Sequence, residues 1–482
     1  MNATRCCCRL KIQQRHTDTL QEPEVRPKRW EHGEIGRENI WSIAKDIVII
    51  ILSQPNEHHL KVAENLKKEL NEQAESLQQE KPVVYFSHKD FPHVGHWTIL
   101  PLIPQLYALH KDNTSWFFFA EDRTKVNLAN LRKALSKYDS NKPLWLGHSL
   151  HDMEATIIHH FAFYDNPNQF KFPNPASGIA VSANLLKRLA DRLAQQNTPQ
   201  SDFGIDNAHE FALFVWDKGL GEVLTNEPTF CITQYKDCAT YAQPFQQCGE
   251  LVETESIYFA VKTCAKFHKE RVPVVQKTWA KHVATIEFFS DTTDNSIPTI
   301  NLGIPNTEQG HCAKTLAIFH HIRKKITPQI KWIVLADDDT ILGVSRIRQL
   351  LTCYNSTNQV ALGERYGYNV YDSRGYNYIT GGGGIIFSKP LLKKLTEPGF
   401  CECPSINTPD DMFLGLCIAS LGVSVTHSPL FHQARPVDYP PQYLQTQDAV
   451  SFHKHWMIDP VSVYNKWFAE DDKKVSIIRD EL

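Results

Sequence analysis

The chain has 482 residues, of which 42% are apolar and 22% charged, enough for two or three domains with sizeable cores. Its 51 basic residues nearly cancel 54 acidic ones, leaving a formal net charge of −3, so no global field would hold nucleic acid as a partner. With 22 glycines and 27 prolines, the composition also excludes collagen-like and wholly disordered classes.

Residues 1–42 are polar, charged and aperiodic, and read as a disordered leader. The apolar run at 46–51 (DIVIII) then predicts a buried strand, and residues 60–79 have helix-forming composition, which begins an alternation of strands and helices typical of layered α/β packing. A stretch bearing Cys231, Cys238 and Cys248 precedes a new strand at 257–261 (IYFAV). This places a domain boundary near residue 250, giving one domain over 43–250, a second over 251–468 and a tail over 469–482.

The two halves contain a weak internal repeat. Residues 115–122 (SWFFFAED) match 331–338 (KWIVLADD), and 144–147 (LWLG) match 360–363 (VALG). Residues 176–182 (ASGIAVS), followed by LLKRL, match 382–388 (GGGIIFS), followed by LLKKL. Matches in the same order imply duplication. The first copy has Glu121-Asp122-Arg123, in which the arginine sets a positive charge where the second copy has a third carboxylate. The first half therefore reads as a degenerate, non-catalytic copy.

The second half carries the chemistry. An apolar strand runs straight into Asp337-Asp338-Asp339, and a strand's C-terminal tip is where open α/β sheets bind ligands. Three crowded carboxylates repel one another unless a cation or solvent offsets them, and a hard divalent ion can also bridge phosphate oxygens. The plain alternative is a solvated acidic turn capping a helix over 344–354. Asp410-Asp411 follow Pro409 and open an apolar-periodic helix over 412–421; they either complement the helix dipole or supply a general base, which at a helix start should stay ionised and intrinsically weak. Glycines 381–384 between apolar flanks allow close approach of a ligand, or tight backbone packing. His432, His453 and His455 are each placed to offer a neutral imidazole to a cation, although a single histidine is more often structural.

The compartment also leaves marks. Nine of the twelve cysteines lie between Cys231 and Cys417 without paired CxxC units, which suggests disulfides rather than zinc. The chain ends Arg479-Asp480-Glu481-Leu482, close to the address read by the endoplasmic-reticulum retrieval receptor, and Asn113 and Asn355 stand in N-glycosylation sequons. An entry signal is missing: residues 1–41 have no apolar h-region, and the run at 47–52 is too short to span a bilayer. A lumenal reading thus expects a signal, or a membrane anchor, upstream of this sequence.

In this order, these motifs resemble the Fringe-like β1,3-glycosyltransferases. The resemblance covers about residues 255–465 and rests on Ile257 to Thr263 with Lys266-Phe267-His268, on Phe289-Ser290-Asp291, on Asp337-Asp338-Asp339, on the Gly381 run and on Pro409-Asp410-Asp411. It implies two tandem GT-A-like, Rossmann-like domains, the first degenerate. The duplicated first half and the retrieval-type ending further resemble a branch that extends O-linked fucose on thrombospondin type 1 repeats. From this similarity UDP-glucose is the implied donor and Mn²⁺ or another divalent cation the cofactor. Asp337 and Asp339 would hold the ion on the diphosphate, with Asp338 beside them and Asp339 the direct ligand. Asp411 would be the base and Asp410 its neighbour. Thr263 and Asp291 would lie near the uridine, and Gly382 and Gly383 near the donor. The family's Phe-His-x-His pattern is incomplete here, since Phe431-His432-Gln433-Ala434 lacks the second histidine, so His453 in a Ser-Phe-His motif is preferred to His432 as the metal ligand. A non-catalytic lumenal lectin, or a transferase using another UDP-sugar, stands as the alternative.

Overall fold

The computed structural model describes residues 46–195, 202–372 and 374–480. The expected leader over 1–42 lies outside the described residues. Two sheets organise the rest. The first is built from β1 (Ile47–Leu52), β2 (Val83–Phe86), β3 (Trp116–Glu121), β4 (Trp145–Gly147), β5 (Ile179–Ser182) and β6 (Thr225–Asn226), in the order β6-β4-β5-β3-β1-β2. The second comprises β7 (Ile257–Lys262), β8 (Thr285–Ser290), β9 (Thr299–Asn301), β10 (Trp332–Asp337), β11 (Ala361–Gly363), β12 (Ile385–Ser388) and β13 (Thr426–His427), in the order β9-β8-β7-β10-β12-β11-β13.

Apart from the extra edge strand β9, the two orders are the same, and so are the directions. β1 pairs in parallel with β3, which pairs antiparallel with β5; β7 pairs in parallel with β10, which pairs antiparallel with β12. Even the register repeats, with Ile47 opposite Trp116 and Trp116 opposite Ser182 in one sheet, and Ile257 opposite Trp332 and Trp332 opposite Ser388 in the other. The repeat read from sequence is thus a repeat of topology.

Continuous apolar strands are required because each sheet is covered on both faces. Alternate residues of β1 enter different cores: Val48 and Ile50 pack with Phe117 and Phe119, whereas Ile47, Ile49 and Ile51 pack with Trp116 and Phe118. β7 divides in the same way, with Phe259 and Val261 on one side and Tyr258 and Ala260 on the other. Helix α1 (Glu57–Ser76) covers one face of the first sheet through Ala63, Leu66, Leu70 and Ala74, a helical spacing, and starts where the Asn56 side chain accepts from His58 N.

The halves also touch. Phe203–Gly204 pairs antiparallel with Gly367 and Tyr368, Trp97 Nε1 donates to Asn377 Oδ1 at 2.9 Å, and a Cys248–Cys353 disulfide ties the connecting strap to the second half. Further disulfides join Cys231 to Cys238, Cys312 to Cys403 and Cys401 to Cys417. The expected tail from residue 469 begins instead as a packed helix (Ala469–Asp480): Asp472 accepts from Ser345 N at 2.7 Å, and Asp471 pairs with Arg346 at 2.8 Å. Its acidic first turn caps the N-terminus of the helix Val344–Leu350, the helix expected from sequence over 344–354, through a contact that no pattern in sequence marks.

In the first half, the strand tip that corresponds to the acidic triplet is internally neutralised. Arg123 pairs with Glu121 at 2.8 Å and His59 with Asp122 at 2.7 Å. Nearby, buried His159 bridges Asp152 at 2.7 Å and Asp206 at 3.2 Å, with its ring stacked on His209. Burial opposes the charged form, yet the two carboxylates push His159 up to about 9. Because that value exceeds the ordinary 6.5, the stabilisation is fully present below pH 6.5 and is lost as pH rises through 9. Urea titrations are expected to show wild-type stability falling across this window by a few kcal/mol, since each tenfold gain in proton affinity on folding contributes about 1.4 kcal/mol, with His159→Gln flattening the fall.

Candidate active site

The site of the second half forms where three elements end together. β10 delivers Asp337 at its tip and turns through Asp338 and Asp339. β7, its parallel neighbour, ends at Lys262 opposite Asp337, with Thr263 following. The helix Asp410–Ser420 brings Asp410 and Asp411 in its first turn. A fourth contribution comes from far along the chain: Thr340–Leu342, directly after the triplet, pairs antiparallel with Ser451–His453, setting Thr340 opposite His453. His453 Nε2 thereby stands 3.2 Å from Asp339 Oδ1, and ligand atoms of Asp337, Asp339 and His453 all lie within 4.8 Å of one another.

The donor set fits a divalent cation. Two carboxylates and an imidazole converge, and the His453 Nδ1–H donates to the Gln433 carbonyl at 2.9 Å, which leaves Nε2 aimed at the carboxylates. His453 is buried, which disfavours its charge, but Asp339 still raises its pKa. Asp339 is likewise held well below the usual carboxylate range, against the effect of burial, by His453 and Arg271. Asp338 plays a different part. It accepts from Thr263 Oγ1 at 2.7 Å and from Arg271 at 2.9 Å, and burial pushes it up to about 6.

Lys262 is buried and spans two motifs, contacting Asp337 at 3.1 Å and Asp410 at 2.7 Å. With Thr315 donating at 2.6 Å, this ammonium holds Asp410 down at about 2 although burial opposes it. Asp411 behaves in the opposite way: burial, then the Asp410 charge beside it, pushes it up to about 6, despite bonds from Met412 N at 2.7 Å and Gly381 N at 3.3 Å. The expectation that a helix-start carboxylate stays weakly basic is therefore corrected. Desolvation outweighs the helix terminus, and Asp411 is the stronger base of the pair.

A cleft of about 630 Å³ opens over Thr263, Lys266, Phe267, Arg271, His311 and Lys314 and is floored by the triplet and His453. Thr263 lines it, whereas Asp291 accepts from Ala265 N at 2.8 Å and shapes the loop above it. His432 is not brought to the carboxylates. It is buried, with its ring nitrogens against Ser451 O at 3.1 Å and Gln447 Oε1 at 2.8 Å. Gly382 and Gly383 are tightly packed: a Cβ on Gly382 would strike the His453 ring, and one on Gly383 would press on the His432 carbonyl carbon at 3.3 Å. Gly382→Ala is expected to displace His453 and weaken Mn²⁺ binding about tenfold or more, measured by titration of the full chain.

Sequence reasoning did not select Lys262, Arg271, Lys314 or Gln433. Lys262 had a usable signal, a lone cation closing an apolar strand. Arg271 had none, because only the tertiary fold sets it at 2.9 Å from both Asp338 and Asp339.

A repeated α/β sheet whose second copy directs carboxylates and an imidazole toward one cleft, with a second carboxylate pair tied to them through Lys262, defines a glycosyltransferase-like site. The family model for Fringe-like proteins matches residues 100–210 and 252–476, and the chain belongs to that family. It is 48% identical to a human β-1,3-glucosyltransferase over 445 residues, 92% of this chain and 89% of the relative, and 48% identical to its mouse counterpart over 89% and 88%. Zebrafish β-1,3-N-acetylglucosaminyltransferase lunatic fringe is 29% identical over 40% of this chain and 57% of its own length. The chain is thus a hexosyltransferase of the Fringe-like family.

Proposed function

We propose that this protein transfers glucose from UDP-glucose to the 3-hydroxyl of O-linked fucose on thrombospondin type 1 repeats, with inversion, and that the reaction depends on Mn²⁺ or a similar cation. The reading is carried by the convergence of Asp337, Asp339 and His453, joined through Lys262 to the Asp410-Asp411 pair, in a chain 48% identical to proteins named β-1,3-glucosyltransferase. Asp337, Asp339 and His453 would hold the cation, which would offset the diphosphate charge and improve it as a leaving group. Asp411 takes the proton of the acceptor hydroxyl while the oxygen bonds to the anomeric carbon and the bond from that carbon to the diphosphate breaks, releasing UDP. Lys262 keeps Asp410 ionised, and that charge keeps Asp411 basic. The cationic rim of Lys266, Arg271 and Lys314 suits an anionic donor.

Four disulfides among the described residues support a lumenal compartment, for which the Arg479–Leu482 motif supplies a retrieval address and the retrieval receptor a partner. Among the described residues no helix is long and apolar enough to cross a membrane. A non-catalytic lectin is separated from this reading by slow hydrolysis of UDP-glucose without acceptor. Metal-stimulated hydrolysis, abolished by Asp339→Asn, is expected; none above the buffer rate would favour the lectin.

A further inference from the structure

His453 does not orient itself. Its Nδ1–H is fixed by the carbonyl of Gln433, and Gln433 is held at two other points: its backbone N–H donates to Glu364 Oε2, and its side-chain Oε1 accepts from Gly383 N at 3.1 Å. Glu364 follows β11 directly and is anchored on its own strand by Thr380 N, which donates to the Glu364 carbonyl at 3.0 Å. A hydrogen-bonded line therefore runs from Glu364 through the Gln433 peptide to His453 and on to Asp339 at 3.2 Å. Its outer end reaches the first half, since Glu364 lines a cavity of about 120 Å³ together with Asp206, Asn207 and Trp97.

We infer that Glu364 is a positioning residue for the cation site: by fixing the Gln433 peptide it holds the His453 ring with Nε2 toward Asp337 and Asp339. The inference rests on the cation assignment above. Partners that orient a ligating histidine are commonly worth 10–100-fold in metal affinity. Burial pushes the Glu364 carboxyl up to about 8, so glutamine is its near-isostere at neutral pH.

The test is Mn²⁺ binding to the full chain, followed by the electron paramagnetic resonance signal of free Mn²⁺, beside the Mn²⁺ concentration giving half-maximal transfer. Glu364→Met is expected to weaken binding about 10–100-fold and to raise that concentration in proportion while leaving the rate at saturating Mn²⁺ within about threefold. Glu364→Gln should restore wild-type binding, and Gln433→Ala, which keeps the main-chain bond to Glu364 and loses only the one from Gly383, should weaken binding less than Glu364→Met does. If Glu364→Met fails to fold, Glu364→Ser replaces it, with the same expectation. Wild-type Mn²⁺ affinity in a folded Glu364→Met or Glu364→Ser variant would overturn the inference alone. Absence of Mn²⁺ binding by the wild type, or binding untouched by Asp339→Asn, would overturn the cation site and the inference with it.

Discussion

Asp339→Asn is expected to lower glucosyl transfer by about three orders of magnitude at a Mn²⁺ concentration that saturates the wild type. Cation stabilisation of a leaving diphosphate is worth several kcal/mol, and about 1.4 kcal/mol corresponds to a factor of ten. Asp339 is the point where the site's charges meet: His453 Nε2 lies 3.2 Å away and the Arg271 guanidinium 2.9 Å away. Losing its charge would remove one ligand of the proposed cation and leave His453 facing a neutral amide. The global fold should survive, because the strand that delivers the triplet is held by a buried apolar core independent of this side chain. Steady-state transfer against Mn²⁺ concentration, with circular dichroism to verify folding, measures the effect. A variant that retains more than a tenth of wild-type turnover would show that the cation is held elsewhere.

Asp411→Asn should cut turnover by about 10²–10⁴-fold, the range for a positioned general base, with the KM for UDP-glucose changed by less than about threefold. The sign of the pH dependence follows from the geometry. Asp411 must be ionised to accept the hydroxyl proton, and burial together with Asp410 pushes its pKa up to about 6. The rate should therefore rise with pH through about 6 and level off above it. Lys262→Met adds a distinguishing case. Without the ammonium that holds Asp410 down, the two carboxylates share their site uncompensated, so the acid limb should move to higher pH. An unshifted acid limb would remove Lys262 from the control of the pair.

Much of this was legible in the sequence because it is written locally. The triplet follows an unbroken apolar strand, Asp410-Asp411 follow Pro409, and the duplicated order of motifs pointed to two copies of one fold, which the two sheets repeat down to strand order and register. What escaped depended on long-range pairing. His453 reaches Asp339 because Ser451–His453 pairs with Thr340–Leu342, more than a hundred residues earlier, and no spacing rule anticipates that strand. Residue type alone did not separate His432 from His453, which only the family resemblance preferred; tertiary packing gives the His432 nitrogens to Ser451 and Gln447. The glycines at 382 and 383 are explained by the same event, since they clear space for His453 and the His432 main chain. Charge state was the least legible property: Asp411 sits where a helix terminus favours ionisation, and only its burial next to Asp410 reverses that preference.

The proposed reaction joins a particular donor to a particular acceptor at a cation-dependent site. Its most direct test is transfer from a panel of UDP-sugars, with and without Mn²⁺, to a folded thrombospondin type 1 repeat carrying O-linked fucose. Mn²⁺-dependent transfer of glucose and of no other sugar in the panel is expected, with the fucose 3-hydroxyl as the site of attachment. Transfer of a different sugar, or transfer of glucose that persists unchanged in chelator, would contradict it.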